Sequence, residues 1–306
     1  MGRDRVLAFD VGGTRLKAGI VDAKDGTVMS LRVEETGGAR ADDVLAAVAR
    51  VGHDLSADAE CGAVGLCVPG LVAPEGKVLS LPGKLEGLVN MDLAAFLVSE
   101  FGGPAVVVVN DAIAHGVGEA AFGAGKGYAR VVAMTVGTGV GVAVVQDGVP
   151  VTTGPLGGGI LGGHIPISER VDGPADSNGR SDTIEALCCA QRLVDYANQS
   201  GAGAGSTRDV YEAWALGSRE ALRGIELYRV HLTRAVVALA HAHAPDAIVI
   251  GGGLMTADSP ITQGVEDSVN ERLFGTYEVA VKTARLGDTA ALCGLACLHN
   301  WRRAIA

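Results

Sequence analysis

The sequence has few aromatic residues: five Phe, five Tyr and two Trp make up 4% of its 306 residues. A core of packed rings is thereby excluded, and Ala, Val, Leu and Ile must supply the interior. Long apolar runs are missing as well. The apolar uncharged stretch at residues 131–146 is interrupted by Gly and Thr and falls short of the ~20 residues that a membrane helix needs. Four apolar residues separate the opening Met-Gly-Arg-Asp-Arg from Asp10, too few for a signal-peptide core. No Lys/Arg cluster occurs, and 25 basic against 35 acidic residues leave a net charge of −10, which argues against a binder of nucleic-acid backbones. The six cysteines (Cys61, Cys67, Cys188, Cys189, Cys293 and Cys297) show neither C-x-x-C pairs nor a secreted disulfide framework. Buried, reduced thiols in a soluble cytoplasmic protein are the expectation.

Glycine is what the chain has in excess, 45 residues, about twice the usual ~7% share. There is no Gly-x-y period and Pro numbers only 10, so collagen is excluded. The excess therefore needs a local explanation, and its position along the chain supplies one.

Residues 6–14, Val-Leu-Ala-Phe-Asp-Val-Gly-Gly-Thr, read as a buried strand ending in a glycine turn. A second strand at 16–21 and an Asp25-Gly26 turn follow. Helical periodicity covers 41–51 and 91–101, with strands at 63–68 and 105–109, the latter stopping at Asn110-Asp111. The arrangement then repeats. Residues 132–139 lie over 7–14 with Thr135 opposite Asp10, and both copies run into an Asp-Gly turn, Asp25-Gly26 and Asp147-Gly148. Helices are expected at 181–197, 208–214, 220–243 and 289–301, and a strand at 247–250 runs into three glycines. Alternating strands and helices make the chain α/β.

Three glycine clusters each follow an apolar strand: Gly12-Gly13-Thr14, Gly137-Thr138-Gly139 and Gly251-Gly252-Gly253. Glycine lets backbone N–H groups turn toward an anion and lets the chain approach phosphate closely. The hydroxyls of Thr14 and Thr138 add donors. Three such turns, two of them a duplicated pair, point to phosphate, although the P-loop pattern is absent. Asp111, at the end of a strand, would project from the edge where α/β sheets bind ligands. Its alternative reading is a helix cap.

The ordered set Asp10-Val-Gly-Gly-Thr14, Gly65-Leu-Cys-Val-Pro-Gly70, Val109-Asn-Asp111, Val136-Gly-Thr-Gly-Val-Gly141, Gly163-His164, Thr207-Arg-Asp-Val-Tyr211, Pro245 to Gly253 and Arg285-Leu-Gly-Asp288 resembles the ROK (repressor, open reading frame, kinase) family of sugar kinases. The resemblance implies a two-lobed actin-like ATPase (ribonuclease H-like) fold with duplicated βββαβα-type domains around a central cleft. The lobes are expected at 1–114 plus 289–306 and at 115–288. It also implies a homodimer in the cytoplasm, with no membrane partner, and no nucleic-acid partner because no winged-helix region precedes the first motif.

The roles implied by the resemblance follow residue by residue. Asp10, Gly12, Gly13 and Thr14, with Thr135, Gly137, Thr138 and Gly139, would grip the β- and γ-phosphates of ATP. Asp10 would help position Mg²⁺, through water. Gly251, Gly252 and Gly253 would lie against adenosine. Asp111 matches the catalytic base, with Asn110, Gly70, Gly87, His164 and Glu185 on the sugar side; a structural role is the alternative for His164. Two departures stand out. Where the family carries three zinc-binding cysteines, this chain has Asp176, Asn178 and Thr183, so no structural zinc is expected. Where a glutamate accepts bonds from sugar hydroxyls it has Leu161, and the usual Asn and Trp near the sugar are Lys84 and Leu88. The implied activity is ATP-dependent phosphorylation of the primary (6-type) hydroxyl of glucose or of an amino hexose such as kanosamine or N-acetylmannosamine. A cyclitol kinase and a non-catalytic sugar sensor are the alternatives.

Overall fold

The computed structural model describes residues 4–36, 40–57, 59–81, 85–102, 105–152, 161–169, 173–255 and 259–305. In chain order the elements are β1 (Arg5–Val11), β2 (Arg15–Asp22), β3 (Val28–Glu35), α1 (Ala41–Ser56), β4 (Ala63–Val68), β5 (Leu71–Val72), β6 (Val78–Ser80), α2 (Leu93–Phe101), β7 (Ala105–Asn110) and α3 (Asp111–Phe122). They continue with β8 (Arg130–Val136), β9 (Val140–Gln146), β10 (Val149–Pro150), α4 (Ile184–Cys188), α5 (Ala190–Gln199), α6 (Thr207–Ala215), α7 (Arg219–His243), β11 (Ala247–Gly251), α8 (Val265–Asn270), β12 (Ala280–Thr283) and α9 (Ala290–Ile305). No helix among the described residues is long and apolar enough to cross a membrane.

The internal duplication is explicit in the sheets. One has the order β3-β2-β1-β4-β7 and the other β10-β9-β8-β11-β12, so corresponding strands occupy corresponding places. β1 runs antiparallel to β2 and parallel to β4, which is parallel to β7. In the second sheet β11 lies parallel to both β8 and β12. The inner parallel strands are buried along their whole length: every residue of β4 and of β11 is inaccessible, as expected for strands covered on both faces. The edge strand β3 instead leaves most of its residues partly or fully exposed.

Contacts divide the chain into two compact units. The first comprises Met1–Gly127, Ala143–Ile160 and Asp288–Ala306, the second Tyr128–Val142 and Leu161–Gly287. The first unit thus extends past the expected limit at 114, because α3 belongs to it whole. Its core is aliphatic, built around Leu7, Leu16, Val48, Leu66, Leu93 and Leu97, and the ring pair Phe9–Phe101 stacks at 5.8 Å. α3 is held against α9 by small residues: a Cβ on Gly118 would collide with the carbonyl of Ala290, and one on Gly294 with that of Ala114. The backbones meet directly, which leaves no room for a side chain.

The helix expected at 181–197 is in fact two. α4 ends at Cys188, Cys189 is extended (φ −63°, ψ 160°), and α5 starts at Ala190. The break has a hydrogen-bonding cause: the Ala190 N–H donates to the Gly137 carbonyl at 2.9 Å rather than to its own helix. Cys188 and Cys189 are therefore not neighbours on one helix. All six cysteines are free.

Overpacking at the α3–α9 crossing should be costly. Gly294→Val is expected to lower stability by about 1–3 kcal/mol or more, read as a reduced urea midpoint. An unchanged midpoint would show that the two backbones are not in contact.

Candidate active site

Asn110 and Asp111 lie where β7 passes into α3, and the structure divides their roles. Asn110 is the helix cap: its Oδ1 accepts from the N–H groups of Ala112 (2.9 Å) and Ile113 (3.3 Å), and its Nδ2 donates to the Gly70 carbonyl at 2.8 Å. Asp111 is the first helical residue; its Oδ1 accepts the Ala112 N–H at 2.8 Å, and its own N–H and the Asn110 side chain also bond to the carboxylate. The capping alternative for Asp111 is nonetheless shared with its neighbour, whose Oδ1 accepts two helical N–H groups. Burial and then the negative charge of Asp10 raise the Asp111 pKa from 3.8 to about 6.

Asp10 ends the row of β1 that faces Cys67 on β4, and Cys67 in turn faces Val109 on β7. The two carboxylates thus flank Cys67 at the carboxyl edge of the first sheet. Burial raises the Asp10 pKa, against the opposing charge of Lys17. Lys17 Nζ stands 3.6 Å from Asp10 Oδ2 and 2.8 Å from Asp288 Oδ1. The Cys67 thiol, kept neutral chiefly by burial, lies 3.6 Å from Asp10 Oδ1. One ammonium is therefore divided between a largely buried acid, Asp10, and an exposed one, Asp288. Such an edge fits a hard cation that takes oxygen ligands, as Mg²⁺ does. Lys17 is not anticipated from sequence, Asp288 enters there only as part of a motif, and Cys67 only as part of a motif and as an expected buried thiol.

The glycine turns separate by what demands the glycine. Gly252 has φ +100°, and a Cβ there would strike the Val136 backbone. A Cβ on Gly139 would lie 2.5 Å from Glu185 Oε2. At Gly13, Gly137 and Gly253, however, φ is not left-handed and an added Cβ would meet nothing within 4 Å. Nothing within the described residues requires glycine at these three, so a close approach from outside the chain accounts for them best. Two turns close on themselves, Gly12 N–H to the Arg15 carbonyl and Gly137 N–H to the Gly139 carbonyl, both at 2.9 Å. Thr14 and Thr138 are exposed beside them, whereas the Thr135 hydroxyl donates to the Gly141 carbonyl at 3.3 Å. Gly251 pairs with Thr135 across β11 and β8.

On the expected sugar side, Gly70 (φ +82°) and Gly87 are each required by packing, against Ser80 and against Ala41. Lys84 and residues 157–160 lie outside the described residues. Leu161 is 51% exposed. Glu185 accepts the N–H of Val140 (2.9 Å, Oε2) and of Ser177 (2.7 Å, Oε1), fastening two segments of the second unit. His164 Nδ1 lies 2.8 Å from Asp176 Oδ2. His164, Asp176 and Glu185 bring one potential ligand atom each within 4.8 Å of one another. This set does not fit the structural zinc that the family resemblance implies. It has no thiolate, and its closest pair is engaged in a hydrogen bond.

The glycine contrast is testable without ligand. Gly252→Ala is expected to lower the melting temperature by several degrees through strain and collision, while Gly253→Ala leaves it nearly unchanged. Equal effects in thermal denaturation would refute the distinction.

Comparison with known proteins bears on the whole chain. The ROK family model matches residues 6–301. The glucokinase of Thermotoga maritima is 28% identical over 321 residues, covering 99% of each chain. The N-acetylmannosamine kinase of Citrobacter koseri is 30% identical over 295 residues, covering 95% of this chain and 97% of its own. Among solved structures, the ROK glucokinase of Streptomyces griseus in complex with glucose and AMPPNP superimposes with a TM-score of 0.83 at 26% identity, over 97% of this chain and 99% of that one. The fold is thus the actin-like ATPase fold of the ROK hexokinases. With its duplicated sheets, its glycine turns and a family match over nearly its full length, the chain belongs to the ROK family.

Proposed function

We propose that this protein is an ATP-dependent kinase that phosphorylates the primary (6-type) hydroxyl of a glucose-like sugar, either glucose or an amino hexose, with Asp111 as general base. The observation that carries the reading is the state of Asp111: a carboxylate at the sheet's carboxyl edge, beside the Asn110 cap, with a pKa raised to about 6. The relatives support the substrate class, since they include a glucokinase and an N-acetylmannosamine kinase, and the S. griseus enzyme was solved with glucose and AMPPNP.

An alcohol is a weak nucleophile. Asp111 would accept the hydroxyl proton as the sugar oxygen bonds to the γ-phosphorus and the bond from that phosphorus to the bridging oxygen breaks, releasing ADP. A carboxyl group with a pKa near 6 is ionised at neutral pH, yet is a better base than an ordinary aspartate. Asp10, on the same edge, would hold Mg²⁺ through water; when bound, that ion neutralises developing phosphate charge. The open space at Gly13 and Gly137 would admit the phosphates against the backbone.

Asp111→Asn is expected to reduce turnover by ~10²–10⁴-fold, measured as ADP release with glucose and amino hexoses. Turnover retained within threefold would remove Asp111 from the mechanism, and no turnover on any of these sugars would remove the kinase reading. In the parent enzyme kcat/KM should fall tenfold per pH unit below about 6. The same shift has a stability consequence. Because the folded-state pKa lies above 3.8, the proton is held more tightly in the native state. This contribution is complete below 3.8 and lost as pH rises through about 6. At pH 8 the ionised group costs up to about 3 kcal/mol. Asp111→Asn should accordingly melt higher than the parent at pH 8, with the gap closing by pH 4.

A further inference from the structure

The carboxylate of Asp176 is the hub of the segment that joins His164 to α4. Its Oδ2 lies 2.8 Å from His164 Nδ1 and accepts the Thr183 hydroxyl at 2.9 Å. Its Oδ1 accepts the N–H groups of Asn178 and Arg180, both at 2.9 Å. A carboxylate offers about four lone-pair positions, and all are taken. The Asp176 side chain is sealed from solvent, and Thr183 is fully buried. Thr183 is fixed in both roles, because its oxygen also accepts the Ala186 N–H as the cap of α4. Burial works against the Asp176 anion, but the bonds from His164, Arg180, Thr183 and Asn178 outweigh it and hold the pKa below its ordinary value.

An ionised carboxylate only accepts, so the proton in the His164–Asp176 bond resides on Nδ1. In the neutral ring Nε2 then carries the lone pair. A ring bound to a metal through Nδ1 would have the opposite arrangement, with N–H at Nε2.

We propose that Asp176 takes over the work of a structural metal in this chain, closing the 176–183 loop and fixing His164 as the Nδ1–H tautomer, with Nε2 an acceptor for a substrate hydroxyl. Asp176 acts through His164 and is a positioning residue. The substrate half of this inference rests on the proposed sugar-kinase function; the tautomer and the absence of a metal do not.

The test uses the whole uniformly ¹⁵N-labelled protein in EDTA, with long-range ¹H–¹⁵N correlation NMR at pH 8 and the His164 ring assigned from its loss in His164→Gln. The expected pattern is a protonated Nδ1 and an unprotonated Nε2. The reverse pattern overturns the proposal, as does about one zinc per chain by metal analysis, or a melting temperature lowered by chelator. Asp176→Asn, which replaces two acceptor oxygens by one and adds an N–H₂, is expected to raise the sugar KM about tenfold and leave kcat within threefold. Thr183→Val, which spares the Asp176–His164 pair, should lower the melting temperature with little change in KM. If both variants lose stability alike and neither changes KM, Asp176 is structural only and the positioning role falls. The NMR and metal measurements need neither variant folding nor turnover, so they stand apart from any failure of the kinase assignment.

Discussion

Anions are unstable away from water, and the first unit places two of them, Asp10 and Asp111, at one edge of one sheet. Much of the local structure answers to that constraint. Asn110 takes the helix cap, accepting the N–H groups of Ala112 and Ile113 beside Asp111. A neutral thiol, rather than a third charge, occupies the strand between them. Lys17 reaches in from β2 and is itself shared with Asp288, two residues before α9. What stabilises the fold elsewhere is withheld here, in keeping with the role of base proposed for Asp111.

The scarcity of aromatic residues acts in the same direction. With few rings to fill space, the helices approach through glycine and alanine, and α3 meets α9 backbone to backbone at Gly118 and Gly294. The helix that carries Asp111 at its first position is thereby clamped along its length by a close crossing with little tolerance for displacement. A wider, ring-filled interface would hold that carboxylate less firmly.

Much of this was legible in the sequence because it is local or periodic. Strand-then-glycine patterns located β1, β8 and β11, and the duplication anticipated two sheets of matching order. The Asn110-Asp111 pair was found, although the division of labour between them was not, since either side chain can cap a helix. Lys17 was missed because its partner Asp288 is 271 positions away, and no local pattern signals such a pair. The break at Cys189 was hidden for a similar reason: the helical periodicity of 181–197 is sound, but a bond from Ala190 to Gly137 overrides it. Asp176 looked like a lost ligand. Only the folded loop reveals the donors that converge on it.

The duplication is exact in topology but not in chemistry. At equivalent places before the two glycine turns stand Asp10 and Thr135, one an anion and the other a neutral hydroxyl bonded within its own turn. Copying a strand order reproduces a scaffold but not the charge it carries. The exchange of carboxylate for alcohol at that one place gives the two sheets different partners: Lys17 stands 3.6 Å from Asp10, whereas the Thr135 hydroxyl is spent on the Gly141 carbonyl. The same scaffold thus presents an anion in one sheet and a neutral group, already bonded, in the other.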